Sequence, residues 1–502
     1  MPRIARSAIA AWIVLHTLAT VSVASASGGL QAEVERAIRS TPLKNAVVGV
    51  SIRDADSRTS LVSVGASRPM IPASNMKLLT TGAAMHVLGA DFHFTTRLLR
   101  DGDRLIVIGD GDPAFGDPTL LEMTTVDGQT GISVEQFLKL WVDPVVATGL
   151  KNVSEIIVDD RIFDRDFVHG GWPTDQLNRR YCAQVSGFNF HLNVLDFYPK
   201  PTSSGKPDIT NMQPRAPWLE VGNSATSKTG KDDANTAWVA RQLGTNNMRM
   251  YGNVKFEYKV AVPVTVHDMP SFFARLMADR LSKAGVRVAS HRVASIEEPS
   301  FSGTDLGPAI STPISTAVAR CNRDSHNLYA EALLKRAGAA MTRQPGSWTN
   351  GAAIIRHAVH ERLGSPALAG SVIVADGSGL ARDNRVSPET LTAWLNTFHS
   401  DRKLGPIFID SLATPGNNGT LRNRFQGTNL HGATIQAKSG YINEVSCLSG
   451  YVTMPDGRRR SFSVMVNDVE PSVLRHARDL QEKIVLIIAK DMAATTVQLG
   501  SD

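Results

Sequence analysis

From Ser74 onward, Met76, Leu79, Ala83 and Val87 recur at helical period and Pro72 stands just ahead of them as a start signal. The sequence therefore places Ser74 on the first turn of a helix. Before it, Ala46 to Arg53 and Ser60 to Val64 read as two strands joined by the polar turn Asp54-Ala55-Asp56-Ser57, a hairpin leading into that helix. The placement has a chemical consequence. Ser74-Asn75-Met76-Lys77 is an S-x-x-K, and on a helix the i,i+3 spacing puts the hydroxyl and the amine on one face, close enough for proton transfer. Lys77 serves as a base only when neutral, and burial with a second cation nearby lowers a lysine pKa towards roughly 7 to 8.

An S-x-x-K arises by chance about once in a chain this long, and context has to separate signal from accident. Ser203-Ser204-Gly205-Lys206 is a literal match in a Pro/Gly/Ser loop where no helix fixes the geometry, and it reads as a decoy. A second element, Ser325-His326-Asn327, stands just before the helical run Leu328 to Leu334, so that a loop serine can relay protons and the amide can hold a carbonyl; a plain N-cap role for Ser325 is the other reading. The third, Lys438-Ser439-Gly440, follows the strand-like Thr434-Ile435-Gln436-Ala437. Lys438 can hold positive charge, Ser439 can bind a carboxylate, and Gly440 lets backbone approach a ligand. Lys228-Thr229-Gly230 also occurs, but it precedes Ser325 in a polar stretch and fails both order and strand context. Finally, Asp376 to Arg382 follows the apolar Val372-Ile373-Val374 and reads as a Gly-rich turn.

With these elements in order, the chain resembles the penicillin-recognising serine enzymes, whose motifs are S-x-x-K, S-x-N and K-T-G. It is more closely similar to the low-molecular-mass class C penicillin-binding proteins, the D-alanyl-D-alanine carboxypeptidase/endopeptidase group. Gly109-Asp110-Gly111-Asp112-Pro113, Asp160 to Phe163, Trp172-Pro173, Asp324 to Glu331 and Asp376 to Arg382 carry the likeness through nearly the whole chain after its leader. The 251 positions from Ser74 to Ser325 fit it too. The resemblance implies an α/β fold, a penicillin-binding/β-lactamase-like transpeptidase domain of antiparallel sheet flanked by helices, with two inserted β-rich domains. The expected catalytic domain is 27–95 with 301–502, the first insert 96–198 with 263–300, and the second insert 199–262.

By the same resemblance, Ser74 attacks the D-Ala-D-Ala carbonyl, Lys77 takes its proton, and Ser325 with Lys438 relays a proton to the leaving D-alanine. Asn327 and Ser439 bind substrate beside Gly440, and the backbone N–H groups of Ser74 and Tyr441 form the oxyanion hole. Arg382, with Asp159 or Asp160, is expected to line a pocket for a diaminopimelate-type side chain; an ordinary turn acid or surface pair is the alternative. No metal or cofactor is implied. The partners implied are peptidoglycan stem peptides, with β-lactam antibiotics as covalent inhibitors. The sequence departs from the family pattern at Ser439, in place of threonine, and at the bulky Tyr441. The middle residue of S-x-N usually points away from the nucleophile, which argues against His326 as a general base. A β-lactamase is the nearest rival, since Tyr441-Ile442-Asn443 spells a Y-x-N, but that triplet abuts Lys438-Ser439-Gly440 on one strand and does not face Ser74 from a separate loop. A non-catalytic wall-binding protein is the other rival, and the intact motif set argues against it.

Composition bears on location and partners. Arg3 and Arg6, the apolar run Ala8 to Ala24 and Ala24-Ser25-Ala26 read as a cleavable signal peptide over 1–26, which implies export to the periplasm. The formal charge of +6 falls to about +4 without the two leader arginines and forms no basic block, so nucleic-acid binding is not indicated. No later stretch reads as a membrane span. Cys182, Cys321 and Cys447 allow at most one internal bridge, and spacing does not say which.

Overall fold

The computed structural model describes residues 29–126, 128–417 and 419–499; the expected signal peptide and its cleavage site lie outside them. The predicted hairpin forms, as Val47–Asp54 paired antiparallel to Ser60–Val64, and it becomes one end of a five-stranded sheet. Val47–Asp54 also pairs with Arg459–Asn467, which pairs with Val445–Thr453, which pairs with Thr434–Ile442, all antiparallel. Eight of the nine residues of Val445–Thr453 are buried, because helices cover both faces of the sheet and leave no side to alternate towards water.

On one face, Leu30 and Val34 of a helix at 29–40 and Ile484 and Ile488 of Leu474–Leu499 pack on Ile52, Leu448 and Val464. On the other, the helices Met76–Leu88, Ile314–Arg323, Asn327–Thr342 and Pro388–His399 pack against Cys447, Tyr451 and Met465. Met76–Leu88 is the central helix of this layer, buried from Met76 through Met85, and Trp394 Nε1 donates to the Leu78 carbonyl at 2.9 Å. Ser74 precedes it in a 3-10 turn, Ala73–Asn75, that runs straight into the helix.

Between Ser74 and Ser325 the chain builds a second body. Its sheet takes the order Arg287–Val293, Asn152–Asp159, Arg104–Ile108, His93–Asp101, with short strands Thr304–Asp305 and Ile310–Pro313 on the last of these. Its ends thus lie a few residues outside the expected segments 96–198 and 263–300, because His93–Asp101 is one continuous strand that takes both return strands as partners. The first two pairings are parallel, which antiparallel hairpins cannot supply, and the helices Val134–Ala147 and Met269–Lys283 pack beside them. Residues 199–262 add small strands, Val221–Asn223, Trp238–Arg241 and Met248–Tyr251, but Val239, Met248 and Met250 share one apolar core with Phe115, Trp141 and Phe273.

This body is tied to the catalytic helices by buried charge. Asp117, fully buried, caps the helix Pro118–Leu121 through Thr119 N, takes two nitrogens of Arg320 at 2.8 and 2.9 Å, and accepts from Tyr329 OH at 2.5 Å. Lys335, also buried, reaches Asp164 at 2.6 Å and the Asp166 carbonyl at 2.8 Å while lying over the Trp348 ring.

Candidate active site

The 3-10 turn, the Ser325–Asn327 corner and the Thr434–Ile442 strand meet at one end of the central helix. Lys77 is the hub: its Nζ lies 3.1 Å from Ser74 Oγ, 2.7 Å from Asn327 Oδ1 and 2.8 Å from the Ser378 carbonyl. Two of these partners can only accept, whereas the Ser74 hydroxyl can also donate. A neutral amine has two N–H groups and one lone pair, so with both N–H groups spent on Asn327 and Ser378 its lone pair faces Ser74. Asn327 is held in that orientation by its other end, Nδ2 donating to the Tyr181 carbonyl at 2.8 Å.

Complete burial, outweighing the nearby acids, lowers the Lys77 pKa below that of an ordinary lysine. Lys438 is buried as well; desolvation first, and the charge of Lys77 second, bring it well below the usual lysine range. Lys438 Nζ donates to Ser325 Oγ at 2.8 Å and to the Ser439 carbonyl at 2.7 Å. Lys77 discourages the charge of Lys438, and each lysine addresses a different serine hydroxyl, which is an arrangement suited to moving protons in both directions.

Close approach sets the backbone. A Cβ on Gly440 would lie 2.8 Å from the Pro72 carbonyl oxygen and 3.1 Å from Ser74 N, so glycine is what lets the strand lie against the serine turn. Gly379 has φ +80°, and a Cβ there would fall 1.8 Å from the Ala73 oxygen. Ala73 and Ser325 themselves hold positive φ, +46° and +61°, at a cost of about 1–2 kcal/mol each. Ser325 is accordingly not the N-cap of Asn327–Thr342; that position falls to His326, whose side chain makes no cap bond.

Ser74, Ser325 and Asn327 open into a cleft of about 590 Å³, walled by Trp172 and Tyr181 from the inserted body and by Arg382 and Tyr441 from the catalytic part. The sequence profile of the D-Ala-D-Ala carboxypeptidase 3 (S13) family matches residues 30–489. The chain belongs to the S13 family. Among curated relatives, the D-alanyl-D-alanine carboxypeptidase of Actinomadura sp. (strain R39) is 28% identical over 480 residues, covering 89% of this chain and 84% of that protein. D-alanyl-D-alanine carboxypeptidase DacB of Haemophilus influenzae is 22% identical, covering 84% and 85%. The crystal structure of penicillin binding protein 4 (dacB) from H. influenzae superposes with a TM-score of 0.72 at 19% identity, covering 92% of this chain and 99% of that one. The S13 chain therefore has the α/β fold, with insertions, of that penicillin binding protein, and the protein is a serine hydrolase.

The two expected pocket residues separate. Arg382 of the S13 chain stands at the cleft, exposed, its guanidinium bonded to the Asn443 carbonyl at 2.7 Å and to Glu444 at 2.9 Å. Asp160 does not line the cleft: it is 1% exposed and its carboxylate is taken by Arg165 at 2.7 Å, since the turn after its strand folds back on the insert. Asp159 likewise faces Arg161. His326 packs edge-on against Tyr329 with both ring nitrogens buried and without partners, and burial holds it far below the usual histidine pKa, so it offers no base to Ser74. Cys182, Cys321 and Cys447 are all buried and free; burial pushes the Cys321 thiol, behind the two lysines, up to about 12.

The sequence does not mark Tyr181, and it places Asp376 and Glu331 in family-like segments without a role. The Tyr181 carbonyl fixes Asn327, Asp376 organises the Gly-rich turn by accepting from Gly379 N, Ala381 N, Asn384 Nδ2 and Trp172 Nε1, and Glu331 accepts from the backbone of the same turn. Pro173 just after Trp172 was a local signal for the first wall of the cleft; no local pattern marks Tyr181 or Glu331.

Proposed function

We propose that this protein is a serine D-alanyl-D-alanine carboxypeptidase of peptidoglycan stem peptides that works through a Ser74 acyl-enzyme. The observation that carries the reading is the Lys77 amine, buried, 3.1 Å from Ser74 Oγ and bonded to two acceptors, Asn327 Oδ1 and the Ser378 carbonyl, so that when it is neutral its lone pair is left for Ser74. Ser74 Oγ attacks the carbonyl carbon of the D-Ala-D-Ala bond and its proton passes to Lys77. As the C–N bond breaks, the proton held by Lys77 is returned through the Ser325 hydroxyl, itself held by Lys438, to the departing amine of D-alanine, which leaves Lys77 neutral and Ser325 a hydroxyl again. Water then attacks the ester and restores Ser74. The backbone N–H groups of Ser74 and Tyr441 stabilise the tetrahedral oxyanion, a contribution of roughly 10²–10³ in rate per donor. Asn327 keeps one amide hydrogen for the substrate backbone beyond the one given to Tyr181. Ser439 supplies a hydroxyl for the terminal carboxylate, and Arg382 with its neighbours receives the stem-peptide side chain.

The leader read from Arg3, Arg6 and Ala24-Ser25-Ala26 supports action in the periplasm, and among the described residues no helix is long and apolar enough to cross a membrane. The test is acylation of the processed protein by a fluorescent penicillin, with mapping of the labelled peptide, a time course of release, and Ser74→Ala as control. Label on Ser74 that persists for many minutes, together with D-alanine release from a D-Ala-D-Ala pentapeptide, is the expected result. Rapid release makes the protein a β-lactamase, and no label makes it a binding protein. Cleavage of cross-linked muropeptides in the same assay measures endopeptidase action.

A further inference from the structure

Lys77 donates to the Ser378 carbonyl, and what fixes that carbonyl is a carboxylate outside the S-x-x-K, S-x-N and K-S-G triplets. Glu331 lies on Asn327–Thr342 one turn beyond Asn327 and is fully buried. Its Oε1 accepts from Ser378 N at 2.8 Å, and its Oε2 accepts from Gly377 N and from Trp348 Nε1, each at 2.9 Å. One helix thus governs both acceptors of the lysine, Asn327 directly and Ser378 through Glu331. We propose that Glu331 is a positioning residue for acylation: it holds the Ser378 carbonyl against Lys77 and supplies the negative charge that sets how tightly Lys77 keeps a proton. The inference rests on Lys77 acting as the base for Ser74.

The surroundings make this charge consequential. Burial, and after it the Asp376 charge, raise the Glu331 pKa above the ordinary glutamate value, while the hydrogen bonds from Gly377, Ser378 and Trp348 favour its charged form. Around Lys77 stand Glu331, Asp376 and Cys321, with Lys438 across the site and His326 nearby; Lys335 faces Glu331 from its own helix. Cys321, a thiol up to about 12, is neutral in the working range, and His326 is held neutral by burial. The two acids are then what opposes the desolvation of Lys77. Removing the Glu331 charge lowers the proton affinity of Lys77, so the acid limb of acylation, which reports the base becoming neutral, moves to lower pH.

The experiment is the pH profile of the penicillin acylation rate for wild type, Glu331→Gln and Glu331→Asp, with folding checked by near-UV circular dichroism. In Glu331→Gln one accepting oxygen is replaced by a donor facing N–H groups, so the plateau rate is expected to fall on the order of 10- to 100-fold while the acid limb shifts to lower pH. Glu331→Asp restores the charge and is expected to return the limb towards the wild-type position. A limb that stays put or moves up in folded Glu331→Gln, or that fails to return in Glu331→Asp, overturns the proposal; a merely structural residue would lower the rate without moving the limb. Should Glu331→Gln not fold, Glu331→Asp alone carries the test: it keeps the charge and draws it back from the Ser378 N–H, so the plateau is expected to fall with the limb near its wild-type position, and a limb that moves to lower pH there overturns the proposal. Wild type without label at Ser74 at any pH overturns instead the acyl-enzyme reading beneath it.

Discussion

Gly440 shows how much of this site depends on single atoms. The Thr434–Ile442 strand approaches the serine turn so closely that a methyl group on residue 440 meets the Pro72 oxygen and Ser74 N. Gly440→Ala is expected to push the strand outward, misplacing Lys438 and the Tyr441 N–H, and to slow acylation on the order of 100-fold with only a small loss of thermal stability; stopped-flow acylation beside a thermal melt checks it. Such a glycine is legible in sequence once the K-S-G lies on a strand. Glu331 is not. It sits in Ala330-Glu331-Ala332 as an ordinary helical acid, and its partners are backbone N–H groups of residues 377 and 378, whose proximity no local pattern encodes. Asp160 failed for another reason: it follows the strand Asn152–Asp159, and the direction of its side chain is decided by Arg165.

At the scale of elements, the turn Gly109 to Pro113 joins the inserted body to the helix Asn327–Thr342 through Asp110, which takes Arg336 Nε at 2.9 Å, and anchors itself within the body through Asp112. Asp112, 2% exposed, accepts from Thr312 Oγ1 at 2.7 Å and from Ala114 N at 2.8 Å, and burial raises it to about 6 from the ordinary aspartate value. A carboxyl whose pKa is higher folded than unfolded binds its proton more tightly in the native state. Its contribution is therefore fully present below about pH 4 and is lost as pH rises through about 6, a swing of about 2–3 kcal/mol. Asp112→Asn is expected to gain on wild type as pH rises from 4 to 7, seen as a growing difference in urea midpoint; a difference that does not vary with pH contradicts the assignment. The hairpin, the central helix and the strand that carries Lys438 were readable because their periodicity is local. The parallel pairing of Asn152–Asp159 with Arg287–Val293 was not, because it joins segments separated by the whole 199–262 stretch.

For the whole molecule, the two ends of the chain share one sheet. Ile71 N and the Asn467 side chain are hydrogen-bonded although 396 positions apart, and Val47–Asp54 is flanked by Arg459–Asn467. The three chemical motifs showed in the sequence that its ends had to meet; that the intervening body would run as one core from Leu98 to Val286 did not show, since polar spacing made 199–262 look separate. The shared sheet makes time part of the architecture. Closing so long a loop is slow, while the sheet between His93 and Pro313 closes shorter ones, so hydrogen exchange during refolding is expected to protect Ile106 and Ile157 before Val50 and Val464. Until Thr434–Ile442 has arrived, a growing chain owns the nucleophile without the strand that aligns it, and so has no premature activity towards whatever acyl donors surround it.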